Sequence, residues 1–576
     1  MIKKICKSIR EYKKQAILTP ILVALEVVFE ILITYNMAQL IDKGIEVGNT
    51  NMIIKIGLIL IGMAICSLIL GALSGITCAK ASSGFAKNLR KDIFYKIQNF
   101  SFLNIDKFKT SGLITRLTTD VSHVSWAFQT VIRVAVRSPL TIIFSLIMII
   151  RISKKMALIF LGVMPIMAIG LLLIIKFAHP LFRKVFDEYD HMNNVVSENL
   201  NGIRVVKSFV AEDKEIKKFN SVSNRIYRLF SKAQNLIAFN NPLMQACVYT
   251  SMLLIAWIGA KMIVSGTLTT GQLMSLFTYV MQVLGSLMMM SMVLVSIVIS
   301  RESVERVYEV LDEKIDLDSN ENGLKEVLNG EIIFDNVNFS YVKNKNKLCL
   351  LDVNLKIESG ETIGIIGSTG SSKSTLVQLI PRLYDVSTGR VLVGGKDVRE
   401  YDLYTLRDEV GMVLQKNVLF SGTILENLRW GNENASMDEI NEVCEIACCR
   451  DFIMSFKDKY DTYIEQGGTN VSGGQKQRIC LARALLKKPK ILILDDSTSA
   501  VDTKTDNTIK KGLRKYLPET TKIIIAQRIN SIIDCDKIIV LDEGRIDAFD
   551  THDNLLKNNK IYQEVYYSQE GGGNNE

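Results

Sequence analysis

The apolar positions of this chain fall into six long runs within its first half. They cover approximately residues 16–41, 53–80, 127–150, 156–177, 236–263 and 272–300. A helix needs about 20 apolar residues to cross a bilayer, and each run is long enough. Because helices are the only open-chain way to satisfy backbone hydrogen bonds in lipid, the pattern predicts six membrane-spanning helices.

The links between these runs alternate between short and long, and the two long links are rich in charge. The first 14 residues contain six Lys and Arg, which places the N-terminus in the cytosol by the positive-inside rule. The long links then also lie in the cytosol. We interpret each as two helices that extend beyond the membrane and turn back through a polar segment, at 102–121 and at 199–219.

Two of the apolar runs carry charged residues. Glu26 and Glu30 lie in the first run, Arg133 and Arg137 lie in the third, and the spacing of each pair puts both members on one helix face. Charge inside a membrane is costly and usually faces the bundle interior or a wet cavity. We favour a ladder of salt bridges between the first and third helices, with contact to a transported substrate as the alternative.

The pattern changes near residue 318. Residues 331–342 alternate between apolar and polar as a strand does, and helical patterns separate the strand-like runs that follow, at 361–366, 409–414, 490–494, 522–526 and 537–541. This order predicts an α/β domain with a largely parallel sheet over 319–568, after a transmembrane domain over 1–318. The last residues, 569–576, are predicted to be disordered.

Composition agrees with a membrane protein. Of the 576 residues, 48% are hydrophobic and 22% are charged, and the mean hydropathy is +0.19. These values exclude a disordered chain and argue against an ordinary cytosolic protein. The net charge of +9 is modest and fits basic loops beside a lipid bilayer, so we expect no nucleic-acid partner.

A phosphate-binding loop follows the strand-like run that ends at residue 366. The motif G-x-x-x-x-G-K-[ST] supplies backbone N–H groups, a helix N-terminus and a Lys for phosphate, and a hydroxyl for Mg²⁺. The predicted loop comprises Gly367, Ser368, Thr369, Gly370, Ser371, Ser372, Lys373, Ser374 and Thr375. Ser372 stands where the motif has Gly, and its Cβ is expected to crowd the approach of the loop to phosphate.

A second part of the site lies at residues 491–496, where four apolar residues end in Asp495 and Asp496. Asp495 is placed to bind Mg²⁺, directly or through water. The loop and this acidic strand end together predict a site for ATP and Mg²⁺.

Between these two parts lies the segment VSGGQ, with Ser472, Gly473, Gly474 and Gln475. It resembles the signature of ATP-binding cassette (ABC) transporters. Further positions resemble landmarks of that family in the expected order: the adenine-stacking aromatic, the Q-loop glutamine, the loop before the signature and the D-loop, at Tyr341, Gln415, Glu465 and Asp502. Six helices followed by one cassette is similar to the half-transporter layout of type I ABC exporters.

This resemblance implies several properties. Ser374, Gln415 and Asp495 are expected to hold Mg²⁺, and the two polar turning segments are expected to be coupling helices that dock on cassettes. The protein is expected in the cell (plasma) membrane as a multi-pass chain, with its N-terminus and cassette in the cytoplasm. Its partner is expected to be a second half-transporter.

The chain departs from the family pattern at three positions of one site. After the metal-binding Asp495 the family has Glu, but this chain has Asp496. Its side chain is one methylene shorter than that of Glu, so its carboxylate is expected to fall short of the attacking water. Gln527 stands where the family has the switch-loop His. With Ser372, these changes predict a degenerate site that binds ATP and hydrolyses it poorly, while the intact signature completes the partner's site.

The sequence therefore predicts a subunit of a heterodimeric ATP-driven exporter. It would move amphipathic drugs, lipids or peptides out of the cytoplasm by alternating access, with hydrolysis mainly at the partner's site, which the signature of this chain completes. The alternatives are an ABC-type nucleotide-gated channel or regulator, and a homodimeric exporter.

Overall fold

The computed structural model describes residues 1–317, 322–342, 348–496 and 501–571. The chain divides into two compact units. One comprises Met1–Gln98 and Lys109–Glu313, and the other comprises Asn99–Phe108 and Lys314–Glu576. Residues 102–108, the first part of the turning segment predicted at 102–121, thus belong to the second unit. The predicted domain boundary at 318–319 lies outside the described residues, as do residues 572–576 of the predicted disordered tail.

The N-terminal part of the chain is helical throughout. Its helices are α1 (Ile2–Ile5), α2 (Lys13–Leu40), α3 (Thr50–Gln98), α4 (Phe102–Phe108), α5 (Thr110–Thr115), α6 (Val121–Ile152), α7 (Lys154–Asn201), α8 (Ile203–Ser208), α9 (Glu212–Ala238), α10 (Asn240–Val264) and α11 (Thr270–Asp312). Short 3₁₀ or π segments at Cys6–Tyr12, Ile41–Ile45 and Arg116–Asp120 join some of them.

Six helical stretches of the described chain are long and apolar enough to cross a membrane, which confirms the six predicted spans. Helix α3 has 49 residues. At about 1.5 Å per residue it is roughly 74 Å long, more than twice the thickness of the hydrocarbon core. The helices therefore extend well beyond the bilayer, as the long charged links predict.

The first unit is held together by an apolar core and by an ion pair within the membrane. Helix α2 packs against α3, and α6 packs against α11. Arg137 of α6 donates to Glu26 at 2.6 Å and to Glu30 at 2.9 Å, both on α2. The predicted ladder is confirmed for this arginine. Among the described residues Arg133 has no ion-pair partner; its guanidinium lies beside Gly75 of α3, 3.8 Å from where a Cβ on that glycine would stand.

The second unit is an α/β domain with two main sheets. Its strands are β1 (Ile332–Phe339), β2 (Leu350–Ile357), β3 (Thr362–Ile366), β4 (Thr388–Val393), β5 (Lys396–Asp397), β6 (Val410–Val413), β7 (Gly422–Thr423), β8 (Tyr463–Ile464), β9 (Ile491–Asp495), β10 (Thr521–Ile525), β11 (Lys537–Asp542) and β12 (Arg545–Asp550). Its helices are α12 (Lys373–Gln378), α13 (Leu403–Glu409), α14 (Ile424–Arg429), α15 (Met437–Ile446), α16 (Arg450–Ser455), α17 (Gly473–Leu486), α18 (Thr503–Tyr516), α19 (His552–Asn558) and α20 (Lys560–Gly571).

The larger sheet has the order β12-β11-β3-β10-β9-β6 and is parallel except for β12. Strands β3, β9 and β10 are buried along their whole length, as is typical of a parallel sheet covered on both faces. The first predicted strand, at 331–342, does not join this sheet. It forms β1 in a separate antiparallel sheet with the order β2-β1-β4-β5, and its alternating pattern fits that environment.

The topology of the larger sheet positions the site. Strands β3, β10 and β9 are neighbours and run parallel, so their carboxyl ends meet at one edge. The phosphate-binding loop follows β3, Asp495 ends β9, and Gln527 lies two residues after β10. In open α/β sheets, ligands bind outside the carboxyl ends of the strands.

Candidate nucleotide-binding site

The loop from Gly367 to Thr375 curls around its own lysine. The Lys373 ammonium donates to the carbonyl oxygens of Gly367 at 2.9 Å and Ser368 at 2.8 Å. Gly367 admits no side chain, because a Cβ there would lie 2.1 Å from the Leu541 carbonyl oxygen. Burial lowers the pKa of Lys373, and the neighbouring carboxylates of Asp495 and Asp496 act against that shift. The ammonium also lies 3.4 Å from Ser371 Oγ, so a bound phosphate would have to replace some of these hydrogen bonds to the loop.

Ser372 adopts a left-handed backbone conformation, with φ of +72° and ψ of 24°. Glycine enters this region freely, whereas a residue with a Cβ pays roughly 1–2 kcal/mol. The motif's glycine is therefore explained by the backbone that position 372 requires. Serine is accommodated here as a strained substitute.

Two adjacent acids face this loop from the end of β9. Asp495 is only 3% exposed. Burial raises its pKa, and the Ser374 hydroxyl donates to its carboxylate. Burial likewise raises the pKa of Asp496, while side-chain hydrogen bonds from Gln415 and Gln527 oppose the shift.

Gln527 contacts Asp496, the residue predicted to stand where the family pattern has Glu. Its Nε2 donates to Asp496 Oδ2 at 3.0 Å. The Asp496 carboxylate therefore accepts hydrogen bonds from two neutral amides, Gln415 and Gln527. An amide can donate to phosphate or to a carboxylate, but it carries no positive charge and takes up no proton at neutral pH.

The residues predicted to hold Mg²⁺ lie together here. The Ser374 side chain is hydrogen-bonded to Asp495, and the Gln415 side chain is hydrogen-bonded to the adjacent Asp496. A hydroxyl, a carboxylate and an amide oxygen suit Mg²⁺, which binds through few protein oxygens and completes its shell with water and substrate phosphates. The donor set fits the ion. Among the described residues no cluster of three or more His, Cys, Asp or Glu forms a dedicated metal cage.

Tyr341, predicted to stack on adenine, lies against the start of α12. Its hydroxyl is 2.9 Å from Thr375 Oγ1 and donates to Gln378 Oε1 at 3.4 Å. Its ring meets Tyr384 edge to face, with centroids 5.1 Å apart. No feature of the sequence singles out Tyr384. A single tyrosine after α12 belongs to no recognisable motif, and only the tertiary structure brings it into contact with Tyr341.

The signature residues form the start of α17. Ser472 Oγ accepts from the Gln475 backbone N–H, and the Gln475 side chain accepts from the Ser472 N–H, which is a capping box. Within the described residues, no hydrogen bond joins the signature to the chain's own phosphate-binding loop. Asp502 caps α18 through Thr505, while residues 499 and 500 of the predicted D-loop lie outside the described residues.

Comparison with known proteins gives consistent matches over both units. Residues 16–287 match the family model for the ABC transporter transmembrane region, and residues 350–499 match that for the ABC transporter. An uncharacterized ABC transporter ATP-binding protein of Bacillus subtilis, YfiB, is 34% identical over 99% of both chains. The ATP-dependent lipid A-core flippase of Pectobacterium atrosepticum is 30% identical, over 93% of this chain and 92% of the flippase.

A solved structure of a bacterial Atm1-family ABC exporter with ATP bound has the same fold. It superposes with a TM-score of 0.83 over 97% of this chain and 99% of its own, at 24% sequence identity. The type I exporter fold predicted from the sequence is thereby confirmed.

Proposed function

The chain belongs to the ABC transporter family, and from that premise we propose that it is the degenerate-site subunit of a heterodimeric ATP-driven exporter. It is a multi-pass membrane protein with a cytoplasmic nucleotide-binding domain. The proposed division of labour is asymmetric. This chain's own loop retains ATP, and a partner half-transporter supplies the site that turns ATP over.

One observation carries this proposal, the hydrogen bond between Gln527 and Asp496 at 3.0 Å. Hydrolysis needs a base within about 3 Å of the attacking water. The carboxylate that directly follows Asp495 belongs to Asp496, which is one methylene shorter than Glu. It already accepts hydrogen bonds from two amides, so it is poorly placed to polarise water. The switch position offers no cation for the charge that develops on the γ-phosphate. Binding and hydrolysis are thus separable at this site.

The residues that we propose to bind ATP carry the chemical groups that binding needs. Lys373 offers an ammonium to the phosphates, and Tyr341 offers an aromatic face to the adenine. Ser374, Asp495 and Gln415 would hold Mg²⁺, which when bound neutralises phosphate charge. Ser472, Gly473, Gly474 and Gln475 are expected to complete the partner's site, because their helix start is capped and presents backbone N–H groups.

An exposed apolar tip supports the existence of a second chain. The second turning segment forms α8, and Phe209 and Val210 beyond it are 78% and 83% exposed. Leu200, just before α8, is 65% exposed. Apolar side chains grouped at the cytosolic end of a helix pair are typical of a contact surface. We propose that the partner's cassette covers this tip.

The proposed cargo is amphipathic: a drug, a lipid or a peptide. Arg137 and Glu30 are each 38% exposed although they lie within membrane spans. Such charges avoid lipid and face a wet cavity or another helix, which suits a cargo with both polar and apolar parts. The lipid A-core flippase among the relatives favours a lipid.

The test is ATP turnover of the purified full chain, first alone and then coexpressed with a half-transporter that carries the family's Glu and His. Negligible turnover alone, restored by the partner and lost when the partner's catalytic Glu is changed to Gln, is the expected result. Brisk turnover by this chain alone would contradict the proposal and indicate a homodimeric exporter. Passive flux gated by nucleotide, in place of uphill transport into vesicles, would indicate a channel or regulator.

A further inference from the structure

Four aromatic rings form a continuous group at the nucleotide-binding unit, here called the aromatic cluster: Phe102, Phe339, Tyr341 and Tyr384. Tyr384 lies at its centre. The centroid of the Tyr384 ring is 5.1 Å from Tyr341, 5.7 Å from Phe339 and 6.0 Å from Phe102. Phe102 belongs to α4, which packs within the same compact unit although some 240 residues separate it from Tyr341 in sequence. The cluster therefore connects α4 to the tyrosine predicted to bind adenine.

Hydrogen bonds fix both ends of this cluster. The Tyr384 hydroxyl donates to Asp106 Oδ2 of α4 at 3.1 Å. At the other end, the Tyr341 hydroxyl is 2.9 Å from Thr375 Oγ1 in the phosphate-binding loop. A tyrosine hydroxyl is protonated at neutral pH, and burial and the Asp106 carboxylate raise the pKa of Tyr384 further, which keeps it a donor.

The ring geometry determines the plane of Tyr341. Its ring is perpendicular to Tyr384, at 89°, and nearly perpendicular to Phe339, at 82°. Edge-to-face contacts of this kind are directional and contribute beyond simple burial. Stacking on a base requires a fixed ring plane, because the attraction falls when the two planes tilt apart. If the Tyr384 ring rotated, Tyr341 would lose one of its two edge-to-face ring contacts.

We propose that Tyr384 is a positioning residue for the nucleotide base. Its bond to Asp106 fixes the ring against which Tyr341 is held edge to face. Separating Asp106 from Tyr384 would then weaken base stacking on Tyr341.

The alternative is that the cluster only packs the unit. The two cases differ in one respect, which is dependence on the base. A packing role lowers stability and affects every ligand of the loop equally. A positioning role weakens binding of ATP and leaves binding of a base-free triphosphate unchanged, because the Lys373 end of the site is not involved.

The inference rests on the proposed nucleotide site, and the experiment separates the two. The full chain in lipid nanodiscs is titrated with Mg-ATP and with Mg-tripolyphosphate, and the dissociation constants are compared. Tyr384→Phe keeps the ring and removes the bond to Asp106, and Asp106→Asn alters the same bond from an exposed position on α4. Tyr401→Phe is the matched control, since its buried hydroxyl donates to the Val393 carbonyl at 2.8 Å in the same unit.

Both variants are expected to weaken ATP binding about three- to tenfold, because the effect on affinity is limited by the worth of the one hydrogen bond removed, with tripolyphosphate binding unchanged. The double variant should lose no more than either single one, because the two residues make one bond. ATP affinities within 1.5-fold of wild type, or equal losses for both ligands, would overturn the inference. If the wild-type chain bound neither ligand, the proposed nucleotide site itself would be refuted.

Discussion

The ion pair within the membrane gives a quantitative prediction, that Arg137→Gln destabilises the first unit far more than Arg133→Gln does. The two arginines are one helical turn apart on α6 and carry the same charge. Only Arg137 has carboxylate partners among the described residues, Glu26 at 2.6 Å and Glu30 at 2.9 Å. Arg133 is therefore a matched control for removing a cation from this helix.

The expected loss of stability comes from the Glu26 carboxylate, which Arg137→Gln would leave without an ion-pair partner. The Glu26 side chain is 11% exposed, and its Oε2 already has no hydrogen-bond partner in the described structure. Without Arg137, its other oxygen loses the guanidinium as well. A buried charge left unpaired costs about 3–5 kcal/mol. The half-exposed Glu30 adds little, since pairs of that kind contribute about 0–1 kcal/mol.

The free energy of unfolding can be measured by titrating SDS into bicelle-embedded protein and following tryptophan fluorescence. Trp126 and Trp257 report on the first unit, and the third tryptophan, Trp430, is replaced by Phe in the background chain. We expect a loss of about 3–5 kcal/mol for Arg137→Gln and less than about 1 kcal/mol for Arg133→Gln.

A double variant tests the cause. Combining Glu26→Gln with Arg137→Gln removes the unpaired charge, so most of the lost stability should return. Two results would refute the reasoning: equal losses for the two arginine variants, or a double variant whose loss is the sum of the single losses.

Three further predictions concern the nucleotide site. Ser372→Gly should raise the free energy of unfolding by about 1 kcal/mol, because it relieves a left-handed serine; a lower thermal midpoint would contradict this. Burial raises the folded-state pKa of Asp495, so its ionised form costs stability above that pKa and the cost disappears as pH falls through it. Asp495→Asn should therefore raise the melting temperature of nucleotide-free protein at pH 7.5, with a gain that shrinks toward pH 4; a gain independent of pH would contradict it. Asp496→Glu with Gln527→His should raise ATP turnover at least tenfold in a complex whose partner site is disabled, because a positioned base contributes about 10²- to 10⁴-fold; unchanged turnover would show that these two positions do not limit hydrolysis.

Some of these features follow from short stretches of sequence. Run length alone identifies the spans, because a bilayer imposes the same length on every helix that crosses it. The phosphate-binding loop can also be identified from a short stretch of sequence, because a strand end, a turn and a lysine within residues 367–375 form it. The left-handed backbone at Ser372 could be anticipated for the same reason, since the motif has glycine where the chain must turn that way.

Other features depended on which segments the fold brings together. The alternating run at 331–342 predicts a strand correctly but not its sheet, because alternation reports one buried face and says nothing about the neighbouring strand. The hydrogen bond between Gln527 and Asp496 joins two strand ends that are adjacent only through the order of β10 and β9.

The sequence by itself determined the membrane spans, the α/β class of the second unit and the residue types at the ATP site, because these depend on local length, periodicity and spacing. Only the tertiary structure decided that Arg137, and not Arg133, pairs with the glutamates, and that Asp106 meets Tyr384 across 278 residues of chain. Both outcomes depend on how helices rotate and pack. The same sequence pattern allows either arginine to face a partner, and side-chain packing between distant segments selects one.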